Sequence, residues 1–128
     1  MDSKEQVSYW LRSSREDLRT ADALFSLGRY QHCLFFCHLF VEKMIKAWTV
    51  KATGGPAPFS HKLSALAKSA RIDLSEDQLD LLDELTAFNI QARYDDYKFQ
   101  LFKKATRSYT QDYLMKAKGI YTWLKKRL

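Results

Sequence analysis

The sequence predicts an all-α fold: an up-and-down four-helix bundle with an additional short helix, in a single domain that spans residues 1–128. Three observations support this class. Apolar residues recur three and four positions apart along four long segments, which is the spacing of one face of an α-helix. The chain has only 4 Gly and 2 Pro, and therefore few places to turn. No segment alternates apolar and polar residues, so no strand is predicted.

The apolar spacing and the turn residues set the helix bounds. We predict helices over about 3–27, 30–53, 63–69, 75–91 and 106–126. Gly28 and Gly54 follow the first two helices directly, where glycine is favoured because it adopts the left-handed conformation. The second helix is apolar on more than one side, so it is predicted to be the central helix of the bundle.

Polar residues mark the predicted helix starts. The first helix is predicted to be capped by Asp2, with Glu5, or by Ser3, with Gln6. Ser60 and Ser75 are predicted to cap the third and fourth helices. Between the fourth and the last helix, residues 92–104 are aromatic and charged without a clear period. We predict an ordered loop there, with at most a helical turn near Gln100.

The second helix carries cysteines and charges within its apolar run. Cys33 and Cys37 are four residues apart, and no CxxC pair or second Cys/His cluster accompanies them. They are predicted to be buried thiols rather than metal ligands, and no metal or other cofactor is expected. Glu42 and Lys46 have the i,i+4 spacing of an ion pair, which we prefer to the alternative that they face a ligand cleft.

The net charge of +6 is unevenly distributed. The first 92 residues contain 11 Lys and Arg against 12 Asp and Glu, whereas residues 93–128 contain 10 against 3. Such an excess suits a nucleotide, a nucleic acid or an acidic partner, although a solvated helix face would have the same composition. The N-terminal residues lack the apolar core of a signal peptide, and no apolar run approaches the length of a membrane span. We therefore expect a cytoplasmic protein without membrane contact.

Five segments together resemble one known family. They are SREDLRTA at 14–21, GRY at 28–30, VEKMIKA at 41–47, HKLSAL at 61–66 and ARYDDY at 92–97. Each segment is weak evidence alone, but their order and spacing cover nearly the whole chain. In these features the sequence resembles the HEPN (higher eukaryotes and prokaryotes nucleotide-binding) family.

The resemblance implies a helical bundle that forms a homodimer and often works beside a small nucleotidyltransferase. Some members of the family are metal-independent ribonucleases, in which four to six residues separate an arginine from a histidine. Arg93 occupies the arginine position, but Lys98, Phe99 and Gln100 stand where the histidine should be. Since none of these three can serve as the base near neutral pH, we predict that the protein is not an enzyme and has no catalytic residue.

The expected function is a non-catalytic nucleotide- or partner-binding module, an accessory subunit of a small nucleotidyltransferase. A nucleotide is the expected ligand, ahead of RNA. The candidate ligand-binding residues are Arg93, Tyr94, Tyr97, Lys98, Glu42 and Lys46.

Two alternatives remain open for the function. The protein could be the ribonuclease toxin of a toxin–antitoxin pair, with Arg93 and an atypical base such as His61, or a protein-interaction scaffold without a small ligand. For the residues themselves, we favour Tyr94 and Tyr97 as packing anchors, with Arg93 paired internally to Glu42 or Asp17, over a ligand-binding patch. We expect His61 to make a local hydrogen bond at its helix start.

Overall fold

In the computed structural model the chain forms six α-helices. The structure describes the backbone of residues 1–128 and every side chain except that of Asp95. The helices are α1 (Ser3–Ser26), α2 (Tyr30–Thr53), α3 (Leu63–Ser69), α4 (Glu76–Arg93), α5 (Asp95–Lys104) and α6 (Arg107–Arg127). The described backbone contains no strand. The predicted all-α class and helical bundle are therefore confirmed, with α1, α2, α4 and α6 as the long helices and α3 as the predicted short one.

Helix α2 is the centre of the bundle, as its apolar sequence predicted. It contacts each of the other five helices. Large apolar side chains such as Phe40, Met44 and Ile45 are fully buried along it. Cys33 and Cys37 are also completely buried and have free thiols, so they pack as small apolar residues. Polar residues set into this helix are consequently buried as well, and some of them support the site described below.

The helix ends follow the predicted chemistry at most positions. Gly28 and Gly54 have φ values of 74° and 73°, the left-handed region that glycine adopts without strain. Asp2 accepts a hydrogen bond from the Glu5 N–H, and Ser75 forms a reciprocal capping box with Gln78. These contacts satisfy backbone donors that a helix start leaves without partners.

Two local predictions are wrong. Residues 95–104 form the helix α5 rather than a loop, because Leu101 and Ala105 provide apolar contacts that bury one side of it. Ser60 does not cap α3: its Oγ accepts from the Lys62 N–H, which precedes the helix. The first backbone donor of α3, the Leu63 N–H, instead bonds to Thr86 Oγ1 of α4 at 3.1 Å.

None of the six described helices is both long enough and apolar enough to cross a membrane.

Candidate functional site

A cleft lies between the C-terminal half of α4 and the segment that leads into α3. Its volume is about 350 Å³, within the range of small-molecule sites. The residues that line it are Phe59, Ser60, His61, Lys62, Thr86, Asn89, Ile90, Arg93 and Tyr94. Cationic groups and exposed rings thus occur together in one concave surface, a combination that can contact both phosphates and bases.

The segment before α3 is held against α4 by Thr86. The Thr86 hydroxyl accepts from the Leu63 N–H and donates to the Leu82 carbonyl of its own helix at 2.8 Å. This contact fixes the start of α3, and with it the position of His61 and Lys62 at the edge of the cleft.

The His61 ring is oriented by a buried carboxylate. His61 Nδ1 lies 2.7 Å from Glu42 Oε1, and because a carboxylate only accepts, the ring donates in this bond. Glu42 is 4% exposed, whereas the His61 side chain is 53% exposed. The ring nitrogen left to meet a ligand is therefore Nε2, on an imidazole whose orientation the bundle core determines.

The buried charge of Glu42 is compensated by a lysine. Lys46 Nζ lies 3.5 Å from Glu42 Oε2, which confirms the predicted i,i+4 pair. The same ammonium sits 5.1 Å from the centroid of the Trp10 ring, so it also makes a cation–π contact. Glu42 and Lys46 are thus buried partners of each other and support the cleft through His61, without lining it.

A second buried histidine holds the backbone of His61. His38 Nε2 lies 2.9 Å from the His61 carbonyl oxygen, and Asn89 Nδ2 lies 3.3 Å from His38 Nδ1. The pKa of His38 is lowered, chiefly because burial disfavours its charged form. A neutral ring fits both contacts: Nε2–H donates to the carbonyl, and Nδ1 accepts from the amide of Asn89.

Arg93 and Tyr94 form the opposite edge of the cleft. Arg93 is the last residue of α4 and Tyr94 is its C-cap. Both are exposed, Tyr94 by 58%, so Tyr94 is not a packing anchor. Glu42 is paired with Lys46 and His61, and Asp17 with Lys43 at 2.6 Å, so in the described part of the chain neither carboxylate pairs with Arg93. The guanidinium is available to hold a phosphate by paired hydrogen bonds.

The six candidate residues do not all meet in this cleft. Only Arg93 and Tyr94 line it. Lys98 lines a separate cavity of about 170 Å³ with Gln31 and His32. Tyr97 lies on α5 and is 47% exposed, so it is not a buried side chain. The described residues contain no group of three or more His, Cys, Asp or Glu that is placed to hold a metal ion.

His61 makes a long-range contact that the sequence did not predict. Its hydrogen bond was expected to be local, but the partner, Glu42, is 19 residues away on another helix. The prediction of a non-catalytic protein rests on the absence of a histidine at positions 98–100, after Arg93. Folding brings His61 and Arg93 to the same cleft nonetheless. No pattern in the sequence links this site to Lys62, Phe59 or the buried His38.

Comparison with known proteins agrees with this architecture. A family model described as the HEPN domain matches residues 7–128. The crystal structure of TT1696 from Thermus thermophilus superposes with a TM-score of 0.82. It is 22% identical in sequence, and the match covers 96% of this chain and 98% of that one, which shows a shared fold. No curated protein sequence matches the chain.

Proposed function

Because the chain belongs to the HEPN domain family, we propose that it is a nucleotide-binding module whose cleft holds a phosphate of the ligand. The observation that carries the proposal is that Arg93, Lys62 and His61 line one cleft. Arg93 would take two phosphate oxygens through its planar guanidinium, and Lys62 would add a second positive charge. The exposed rings of Phe59 and Tyr94 offer faces on which a base can stack.

Calorimetric titration with AMP, ATP and GTP tests the proposal. We expect Arg93→Ala to weaken binding roughly tenfold to a hundredfold, the usual cost of losing hydrogen bonds to a charged group. Arg15→Ala is the matched control, because Arg15 is an exposed arginine on α1 that does not line the cleft. Equal affinity of wild type and Arg93→Ala would overturn the proposal. Absence of binding heat with every nucleotide would do so too, and would favour the interaction scaffold.

The family premise also supports two proposals about assembly. We propose that the protein is a homodimer, and that it serves a small nucleotidyltransferase as a substrate-binding or regulatory subunit. Light scattering tests the first: the mass should be twice the 15.0 kDa of the chain. Co-expression with a nucleotidyltransferase encoded beside the gene tests the second, with a stable complex on gel filtration as the expected result. A monomer, or two proteins that elute separately, would contradict the respective proposal.

A second candidate function is a metal-independent ribonuclease, favoured by the Glu42–His61 pair at 2.7 Å on the same cleft as Arg93. His61 Nε2 would take the proton of a ribose 2′-hydroxyl while that oxygen attacks the adjacent phosphorus. The bond from phosphorus to the 5′-oxygen would break, and this oxygen would take a proton from water. The protonated His61 would then give its proton to the hydroxide that remains. The products would be a 2′,3′-cyclic phosphate and a 5′-hydroxyl. Arg93 would stabilise the charge on the phosphorane oxygens.

Incubation of single-stranded RNA with the purified protein separates the two candidates. A ribonuclease should lose cleavage in both His61→Ala and Arg93→Ala, by roughly a hundredfold or more for the base. His32→Ala is the control, since His32 is exposed on α2 outside this cleft. Intact RNA after prolonged incubation, with nucleotide binding retained, would leave the binding module as the function of the cleft.

A further inference from the structure

Helix α5 presents an unusual set of exposed aromatic side chains. Phe99 is 62% exposed, Phe102 64% and Tyr97 47%, all within ten residues. Tyr94, which lines the cleft, is the N-cap of the same helix. Tyr97 lies on the side of α5 that carries Leu101, since four residues of helix correspond to about 400° of rotation, whereas Phe99 points away from that side. Since apolar rings gathered on a surface commonly mark a binding site, the exposed pair Phe99 and Phe102 suggests a ligand that contacts α5 as well as the cleft.

The helix is fixed to the bundle by its other side. Leu101 is 2% exposed and Ala105 8%. With 100° of rotation per residue, Phe99 lies about 200° from Leu101, and Phe102 lies three positions from Phe99 as its neighbour along the helix. The two rings are therefore held on a rigid element roughly 15 Å long.

Cations accompany these rings. Lys103 Nζ lies 4.6 Å from the centroid of the Phe99 ring, and Lys98 and Lys104 are exposed on the same helix. Arg107 follows at the start of α6. Residues 93–128 as a whole contain 10 Lys and Arg against 3 Asp, two of which, Asp95 and Asp96, are at the start of α5. The net positive charge of this part of the chain favours a polyanion.

We propose that α5 is a stacking platform for a single-stranded nucleic acid whose chain continues from the cleft. This rests on the proposed function in one respect: the cleft holds one phosphate of the strand. Phe99 and Phe102 receive successive bases on their faces, and Lys103 and Lys104 contact the intervening phosphates. Stacking on aromatic rings tolerates any base, so the platform binds with little sequence preference.

A protein partner fits α5 less well. Lysine is depleted in protein–protein interfaces, whereas α5 places lysines directly among its exposed rings. Interleaved rings and cations are the pattern of surfaces that follow a single strand, where the rings meet bases and the cations meet phosphates. Because α5 is a helix rather than the predicted loop, Phe99 and Phe102 lie three positions apart on one rigid element.

Fluorescence anisotropy with labelled oligouridylate and oligodeoxythymidylate of about 12 nucleotides tests the platform. We expect the double variant Phe99→Ser/Phe102→Ser to weaken binding of the oligonucleotides at least about tenfold. The same variant should leave the affinity for AMP unchanged. Tyr9→Ser/Met115→Ser is the matched control, because these side chains are similarly exposed on α1 and α6.

Two further measurements separate stacking from charge alone. Lys103→Gln should flatten the dependence of log affinity on log salt by about 0.7, the effect of one phosphate contact with a single strand. A duplex of the same length should bind more weakly, because its bases are already stacked. Equal affinity for the duplex would overturn the platform.

The outcomes distinguish this inference from the proposed function. Unchanged oligonucleotide affinity in the double variant, with binding lost in Arg93→Ala, would overturn the platform and leave the phosphate site intact. Binding that depends on the rings but not on Arg93, without AMP binding, would overturn the phosphate site and leave α5 as the binding surface. A double variant that changes only the molecular mass in light scattering would overturn the platform and assign α5 to contact between copies of the chain.

Discussion

The two edges of the cleft are built in opposite ways. On one edge, His61 is held by its ring to Glu42 and by its carbonyl to His38, and both of these partners are buried in α2. On the other edge, Arg93 and Tyr94 are exposed at the end of α4. We refer to these as the anchored edge and the open edge.

The difference suggests a division of roles. Residues of the anchored edge are integral to the core, so substitutions there should cost folding stability before they affect ligand binding. Residues of the open edge make few contacts that folding needs, so substitutions there should cost binding alone. The half-exposed imidazole of His61 links the buried network to the surface of the cleft, where the proposed ligand would meet it.

Glu42→Ala should give the largest effect, a loss of about 3 kcal/mol or more in the free energy of unfolding. The substitution leaves the Lys46 ammonium buried without its carboxylate and removes the acceptor for His61. Arg93→Ala on the open edge should stay within about 0.5 kcal/mol of wild type. Urea denaturation followed by circular dichroism measures both. If the two variants lost similar free energies of unfolding, the proposed difference between the two edges would be wrong.

The anchored edge should also make stability depend on pH through His38. The pKa of His38 in the folded state is lowered from the ordinary 6.5. Between the two pKa values, His38 is therefore protonated in the unfolded chain and neutral in the folded chain. The contribution of His38 to the free energy of unfolding should be complete above about pH 6.5. Below that pH it should decrease by at most about 1.4 kcal/mol per pH unit, until the pH falls below the lowered pKa of His38.

The histidine responsible can be identified by comparing variants. His38→Gln should have a flatter profile of unfolding free energy between about pH 7.5 and 5, even though it is less stable throughout. His32→Gln, at an exposed position, should keep the slope of wild type. If the slope persists in His38→Gln, the buried neutral histidine is not its source.

Thr86→Val should destabilise the protein less than Glu42→Ala does, by about 1 kcal/mol, because the substitution preserves shape but leaves the Leu63 N–H without its acceptor. Ser60→Ala is the control: Ser60 is the residue that the sequence suggested as the cap, and it should cost less. Thermal or urea unfolding measures both. A larger cost for Ser60→Ala would mean that Ser60, rather than Thr86, fixes the entry to α3 and the position of His61.

The sequence predicted the elements of the bundle better than the site. Helices α2 and α3 have the predicted bounds, because local spacing and the glycines that follow α1 and α2 decide where such elements begin and end. Helix α5 was missed, since it is short and polar and only its packing through Leu101 makes it a helix.

The same limit applies to the cleft. Arg93 was found because its own sequence neighbourhood carries the resemblance. The bond from His61 to Glu42 spans 19 residues and two elements, and the contact of His38 with Asn89 spans 51. Such pairs depend on how α2, α4 and the start of α3 pack together, which no local pattern specifies. Folding therefore brings together a histidine and an arginine that are 32 positions apart in the chain.

The most direct test of the account is the NMR signal of the His61 ring during titration with AMP. A phosphate held by Arg93 in this cleft should shift the His61 ring resonances in wild type and leave them unchanged in Arg93→Ala, with His32 unaffected in both. Binding of AMP that leaves the His61 resonances in place, or that shifts them equally without Arg93, would contradict a phosphate site shared by the two edges.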